Sequence, residues 1–451
     1  MRLPLCIAGS LMFTALLLGI APANSYAKPP HKRTHTGLSY QLPTALDNQP
    51  NQQTADAFGW QIFTALNWPA QPGARGVPDK TKVIGEPGTV VWETWKAPNE
   101  VFYPDGSKPP SWETYGTPIP EQCEKSGSST GNASPTVLSD TLVNRTSQAA
   151  GGSLTDQHGQ IVHYQITFNR PVFDLIYENG YYNIAGQNAM SGPVNFAAGA
   201  GEMKAAWRIL QPNEPEAVKR RFFRRKMYVY TPAMGQTPAT CKYQEVALIG
   251  LHFNWKVTYP DNSTQWIMAT FEQVDNVPPF KSSFEPGKNP GHLLPYSLFS
   301  KRCYKPGANC EYNQSTEQGR PVGTPTEAIR TVAIEADAKK LNPVWQKRFR
   351  QAVAGNPWQY YQMITTQYPS DPSQKPIGAP SPAYSANTTM ETYVRQSSCL
   401  NCHYTARDIN AKYSTDYSFM LAQACPQPLF PPSGGAQTSA VCTRQSSSQK
   451  P

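Results

Sequence analysis

Residues 245–274 read EVALIGLHFNWKVTYPDNSTQWIMATFEQV, and this stretch decides the fold. Ala247, Ile249, Leu251, Phe253, Trp255 and Val257 recur at every second position, the period of a strand with one apolar face. His252, Asn254 and Lys256 occupy the opposite face. Tyr259-Pro260-Asp261-Asn262-Ser263 carries turn chemistry, because Pro presets φ and Asp and Asn bond back to their own backbone. Gln265–Val274 then returns as the second arm of a hairpin. Working outward, Val162, Tyr164, Ile166 and Phe168 alternate with His163, Gln165 and Thr167, and Met203–Leu210 (MKAAWRIL) predicts another strand. Thr89–Glu93 is strand-like as well. Such runs predict an antiparallel sheet.

Helices are expected on either side of it. Phe58, Ile62, Ala65 and Leu66 share one face of a helix over 54–66, which Trp68-Pro69 ends. A short basic helix is expected near 214–226. Thr324-Pro325-Thr326-Glu327 has capping-box spacing with Pro at the first helical position. Asn342-Pro343 opens a helix through Trp345 and Phe349 to Gly355, and 358–366 predicts a third. Thr388-Thr389-Met390-Glu391 is a second capping box, so a short helix should lead into the residues that follow. The expected fold class is α+β: an antiparallel β-rich central domain, flanking helices and a short helical C-terminal segment. The expected order is a signal peptide over 1–27, a flexible leader over 28–50, the β-rich domain with its N-terminal helix over 51–320 and the helical segment over 321–425. A tail over 426–451 is expected to be disordered or tied by a disulfide.

The amino terminus supports export. Arg2 is followed by a mostly apolar run to Ile20, and Ala21–Ala27 ends in small residues, the form of a cleavable signal. The run is shorter and less pure than the ~20 residues of a spanning helix. No later stretch is apolar enough to span, so no membrane span is expected after cleavage, and the location is periplasmic or secreted. The 44 prolines and the 16% of charged residues favour a loop-rich protein over a helical bundle. The formal charge of +9 is spread along the chain, apart from Lys219–Lys226 (KRRFFRRK), which suits either an acidic partner or a solvated helix face. No recognition motif argues for nucleic acid. With Cys6 removed in the signal, six cysteines lie outside the motif discussed next. Proximity predicts Cys303 with Cys310, Cys425 with Cys442, and Cys123 with Cys241 as disulfides of an oxidising compartment.

The chemistry is concentrated in Ser397-Ser398-Cys399-Leu400-Asn401-Cys402-His403. C-x-x-C-H puts two thiols one helical turn apart, where each can form a thioether with a haem vinyl group. The adjacent imidazole then serves as proximal iron ligand. Covalent haem c on Cys399, Cys402 and His403 is therefore the expected cofactor. A thioredoxin-like dithiol would need a preceding strand in a compact α/β domain, and a zinc site would need more ligands nearby.

Trp92–Lys96 (WETWK), Gly250-Leu251-His252, Trp266–Asn276 (WIMATFEQVDN), Asn387–Tyr393 (NTTMETY), Ser398–His403 and Asp416-Tyr417-Ser418-Phe419 resemble a family of exported bacterial monohaem c-type cytochromes. The resemblance covers most of 55–425. It implies haem binding and electron transfer in the periplasm, with a redox partner protein and no assigned substrate. Gln273 stands where many members carry His.

Residues 404–451 are too few to cover a haem, so the upstream domain is expected to complete the pocket. The candidates for the distal iron ligand are Met420 and His252. Met420 needs a chain reversal near Ser414 to arrive. Met390, Met363 and His292 follow as weaker candidates. His31, His35, His158 and His163 read as exposed. Three functions stay open: an electron carrier, a peroxidase- or oxygenase-type enzyme using His252, Glu272 or Asp275 as acid or base, and a haem-based sensor binding a small molecule at an open distal site.

Overall fold

Asn262 turns the chain between the two longest strands. It adopts φ 64°, the Asp261 carboxylate accepts from Ser263 N at 2.9 Å, and Tyr259 N donates to Ser263 O at 2.8 Å. This hairpin anchors a mixed fold of helices and strands. The structure, a computed structural model, describes residues 37–115, 123, 142–233, 238–279, 295–305, 307–321, 323–371, 379–394 and 396–424. The signal segment, His292, Cys425 and Cys442 lie outside the described residues.

Eight strands form one sheet: β1 (Leu142–Val143), β2 (His163–Phe168), β3 (Gly201–Ile209), β4 (Arg224–Thr231), β5 (Thr240–Thr258), β6 (Thr264–Gln273), β7 (Tyr361–Pro369) and β8 (Pro380–Ser381). Six α-helices occur among the described residues: α1 (Gln52–Leu66), α2 (Arg170–Glu178), α3 (Ile184–Asn188), α4 (Glu216–Lys219), α5 (Ala336–Ala352) and α6 (Cys399–Tyr404). The main path is β1-β4-β5-β6-β7-β8, and β2 joins through β3, which also pairs with β5. Every pairing is antiparallel except β1 with β4.

The alternation of β5 breaks at Ile249. Ala206 pairs with Gly250 and Trp207 with Leu248, so one residue of β5 bulges out. A bulge inverts the facing of everything beyond it. Leu251, Phe253, Trp255 and Val257 therefore enter the main core together with Val246 and Leu248. Ala247 and Ile249, expected on that same face, pack instead with Val162, Tyr164 and Met390.

α1 begins at Asn51, whose side chain accepts from Thr54 N in a capping box. It lies with α5 over the apolar side of β6 and β7. Trp60 stacks on Trp345 at 5.6 Å, and Phe63 on Phe271 at 4.4 Å. Leu38, Tyr40, Leu42 and Leu46, placed by the sequence in a flexible leader, pack against this core, and Leu46 N donates to Thr258 O at 2.9 Å.

Several local expectations need correction. Val91–Thr94 is a 3₁₀ helix, not a strand, because the Glu93 carboxylate turns back onto Val90 N at 2.9 Å. The helix expected over 358–366 is a 3₁₀ turn, Pro357–Tyr360, followed by strand β7, which hydrogen-bonds to β6. The segment 321–425, expected to be helical, thus contributes to the main sheet. α5 starts at Ala336 rather than at Asn342-Pro343, because the Glu335 side chain caps it by accepting from Asp337 N at 2.6 Å, and Pro343 lies inside it. Neither predicted capping box starts a helix. Thr326 bonds across to Thr155, and Glu391 closes a turn on Asn387 N at 3.0 Å.

The basic run folds mostly inward. Beyond the short α4, Arg221 pairs with Asp275, and Arg225 with Glu93 at 2.7 Å. His163, read as exposed, is buried between Ile161 O at 2.9 Å and Thr231 Oγ1 at 3.1 Å. Cys303–Cys310, the expected local pair, and Cys123–Cys241, the expected long-range remainder, are disulfide-bonded.

Candidate functional site

The C-x-x-C-H motif forms the short helix α6 because Ser398 caps it. Its hydroxyl accepts from Asn401 N at 3.3 Å, and Cys402 N donates to Ser398 O at 3.0 Å. The helix is pinned to β7 through Gln367, whose Oε1 accepts from Leu400 N at 2.8 Å and from Ser398 Oγ at 3.2 Å. Buried Leu400 anchors the turn, leaving Cys399 half-buried and Cys402 exposed, both as free thiols. Burial pushes the Cys399 thiol up to about 12. The described residues between 382 and 398 form turns and coil, not the strand that a dithiol oxidoreductase places before its motif.

His403 is held at one ring nitrogen. Its Nδ1 lies 2.7 Å from Tyr417 O, and a carbonyl can only accept, so Nδ1 carries the proton and Nε2 keeps its lone pair. Asn254 Nδ2 approaches the same Nδ1 at 3.3 Å, and Phe419 packs edge-on to the ring at 5.1 Å. Burial pushes the imidazole down to about 4, so it is neutral at ordinary pH. A neutral imidazole with one nitrogen tied to a backbone carbonyl is the state in which histidine ligates metal.

The chain after α6 reverses as the sequence required for Met420. Asp408 accepts from Tyr413 N at 2.5 Å and from Asn410 N at 3.0 Å, and Arg407 bridges Ser414. The reversal returns Tyr417, Phe419 and Met420 to α6. Cys402, His403, Phe419 and Met420 then share one pocket with residues of β2, β3 and β5. It has a cavity volume of about 280 Å³ and is partly open to solvent, close to the lower end of the ~300–1,000 Å³ common for ligand sites. Ile166, Met203, Phe419 and Met420 supply apolar wall; Glu202, Lys204, His252 and Asn254 supply polar groups.

The structure thus brings Cys402, His403, His252 and Met420 around one cavity, with Cys399 one helical turn away. His252 sits opposite Lys204 on β3 and Thr270 on β6. Its Nε2 lies 3.4 Å from Glu391 Oε2 but lacks hydrogen-bond geometry, so the ring nitrogen has no hydrogen-bond partner. Burial pushes His252 down to about 3 and Glu391 up to about 7. Glu202, at the pocket wall, is also raised to about 7 by burial and accepts from Ser418 Oγ.

The other candidates lie elsewhere. Met363 and Met390 are fully buried in separate core clusters. Glu272 pairs with Arg330 and Asp275 with Arg221, which commits both carboxylates to structure. Gln273 donates to Asp275 Oδ2 at 3.1 Å, away from the pocket. The sequence reading placed Asn254 beside His252 on the polar face of its strand but missed Glu202, Lys204 and the Tyr417 carbonyl. A polar row of His252, Asn254 and Lys256 on an otherwise apolar strand was the available signal.

The residues present fit a covalently held porphyrin with an imidazole ligand. Cys402 lines the cavity with Cys399 one helical turn away, the free ring nitrogen of His403 is unprotonated, and more of the wall is apolar than polar. No group of three or more His, Cys, Asp or Glu arranged to hold a metal ion occurs among the described residues, and no helix among them is long and apolar enough to cross a membrane. No protein-family model, curated protein or solved structure matches the chain.

Proposed function

We propose that this chain is an exported c-type cytochrome that carries one haem c and passes electrons to a redox partner protein in the periplasm. The observation that carries the reading is His403: it closes the C-x-x-C-H motif, ties Nδ1 to Tyr417 O at 2.7 Å and lines a solvent-open pocket beside the motif helix. When bound, the haem supplies a one-electron iron couple. Cys399 and Cys402 hold it through thioethers, and His403 Nε2 donates to the metal. Met420 or His252 is the second donor from the chain. Lys204 is the cation in the pocket wall and suits a carboxylate, while Ile166, Met203 and Phe419 exclude water. The family resemblance, the export signal and the disulfides favour the same reading.

The test is the pigment itself. Protein purified from a host able to mature c-type cytochromes should have a mass raised by one porphyrin and stain for haem after denaturing electrophoresis. Cys399→Ala with Cys402→Ala should abolish the stain. A colourless wild-type protein of unmodified mass would end the proposal. The polar groups Lys204 and His252 in the pocket wall, with Glu391 3.4 Å from the His252 ring, favour a second reading, an enzyme or sensor with an open iron position. Cyanide separates the two: an electron carrier with both axial positions filled keeps its low-spin ferric spectrum, whereas an open site converts rapidly from high to low spin.

A further inference from the structure

Asp416 and Tyr417 are consecutive non-glycine residues at φ 53° and 67°. Left-handed backbone is unfavourable for such residues and persists only where the surroundings over-determine it. Here it points the Tyr417 carbonyl at His403 Nδ1. The surroundings come from the polar row of β5. His252 lines the pocket, Asn254 touches the His403 ring, and Lys256, two residues further on, ion-pairs with Asp416 Oδ2. Lys256 is 1% exposed, and its Nζ also donates to Asn195 Oδ1 at 2.6 Å. Its backbone is fixed on both sides, with Lys256 N donating to Ala200 O at 2.9 Å and Gly199 N donating to Lys256 O at 2.8 Å. Asp416 Oδ2 accepts in addition from Phe196 N at 2.7 Å, and Val194 N donates to Ser414 O at 2.9 Å. The strained turn is thus clamped to a rigid strand by a buried ion pair.

We propose that Lys256 is a positioning residue for the iron ligand: its ion pair with Asp416 holds the 416–417 turn so that the Tyr417 carbonyl keeps the proton of His403 on Nδ1. This deepens the cytochrome reading and rests on it for its effect on the iron, but not for its effect on the ring. A hydrogen bond at the distant nitrogen makes a ligating imidazole a stronger donor, which favours the ferric state and lowers the reduction potential. Breaking the clamp should do the reverse.

The experiment compares wild type, Lys256→Met and the double variant Lys256→Met/Asp416→Asn, all purified from the maturation-competent host. Asn tolerates left-handed backbone, and the double variant leaves no unpaired buried charge, so it serves if the single variant does not fold. Two readouts are used: the exchange rate of the His403 ring N–H followed by ¹⁵N NMR, which reports how firmly the Tyr417 carbonyl holds that proton, and the midpoint potential. In wild type the ring should be the Nδ1–H form, with slow exchange of that proton. In folded variants the exchange should quicken at least tenfold. The reduction equilibrium should move roughly tenfold toward the ferrous form, about 59 mV upward for one electron. Variants that melt earlier while keeping the Nδ1–H signal, its slow exchange and the potential would assign Lys256 a purely structural role and overturn the inference. If the wild type carries no haem, the cytochrome reading fails, while the ring N–H exchange still decides the clamp.

Discussion

At the scale of single residues, the cost of burial decides which side chains carry a proton. Asp56 on α1 is fully buried; its Oδ1 accepts from Thr366 N at 2.6 Å and its Oδ2 has no hydrogen-bond partner. Burial, aided by the nearby Glu335 carboxylate, raises it from 3.8 to about 8. Between those two values the folded chain holds a proton that the unfolded chain has released. Asp56's own contribution to stability is therefore complete below about pH 4 and is lost as pH rises toward 8, by up to about 1.4 kcal/mol per pH unit. Asp56→Asn keeps the acceptor for Thr366 and replaces the proton with an amide N–H. Urea unfolding across pH 5–8 should show a flatter slope for the variant and a higher midpoint than wild type at pH 8. An unchanged slope would show that Asp56 ionises normally. His403 illustrates the complementary lesson. The role proposed for it comes from five letters of sequence, whereas its tautomer required knowing that the Tyr417 carbonyl lies 2.7 Å away.

At the scale of elements, close approach between helix and sheet outweighs intrinsic propensity. Gly59 sits inside α1, where Ala would ordinarily be favoured by about 1 kcal/mol. A Cβ there would lie 2.2 Å from Thr366 Oγ1 and 2.9 Å from Met363 Cε on β7. Gly59→Ala should therefore lower stability by about 1–3 kcal/mol, the usual cost of overpacking, read as a lower urea midpoint with an unchanged m-value. A variant as stable as wild type would mean that β7 can move away. β7 is also the element the sequence concealed. Its residues are buried at nearly every position, so the alternation that exposed β5 and β2 is missing. The bulge at Ile249 was hidden for a related reason: apolar residues stand on both sides of it, and pairing with β3 decides which one slips.

At the scale of the whole molecule, the site depends on contacts between distant parts of the chain. β7 comes from the C-terminal third and completes a sheet begun far upstream, while β3 and β5 supply the wall facing α6. Cys123–Cys241 spans 118 residues of this arrangement, whereas Cys303–Cys310 spans 7. Loop-closure entropy assigns about 5 kcal/mol to the first and about 2 kcal/mol to the second. Replacing Cys123 and Cys241 with Ala should therefore lower the melting temperature well beyond replacing Cys303 and Cys310; equal losses would contradict the entropic account. The sequence alone determined the sheet-forming hairpin, the motif helix and the local Cys303–Cys310 pair, and it named both candidates for the proposed distal ligand, because period, spacing and proximity are local properties of a chain. Only the tertiary structure decided that His252, Met420, Cys402 and His403 share one cavity, and that Lys256 clamps the turn beside it. Those meetings depend on how buried strands pair and where a bulge shifts their register, and that is settled by packing across the whole core.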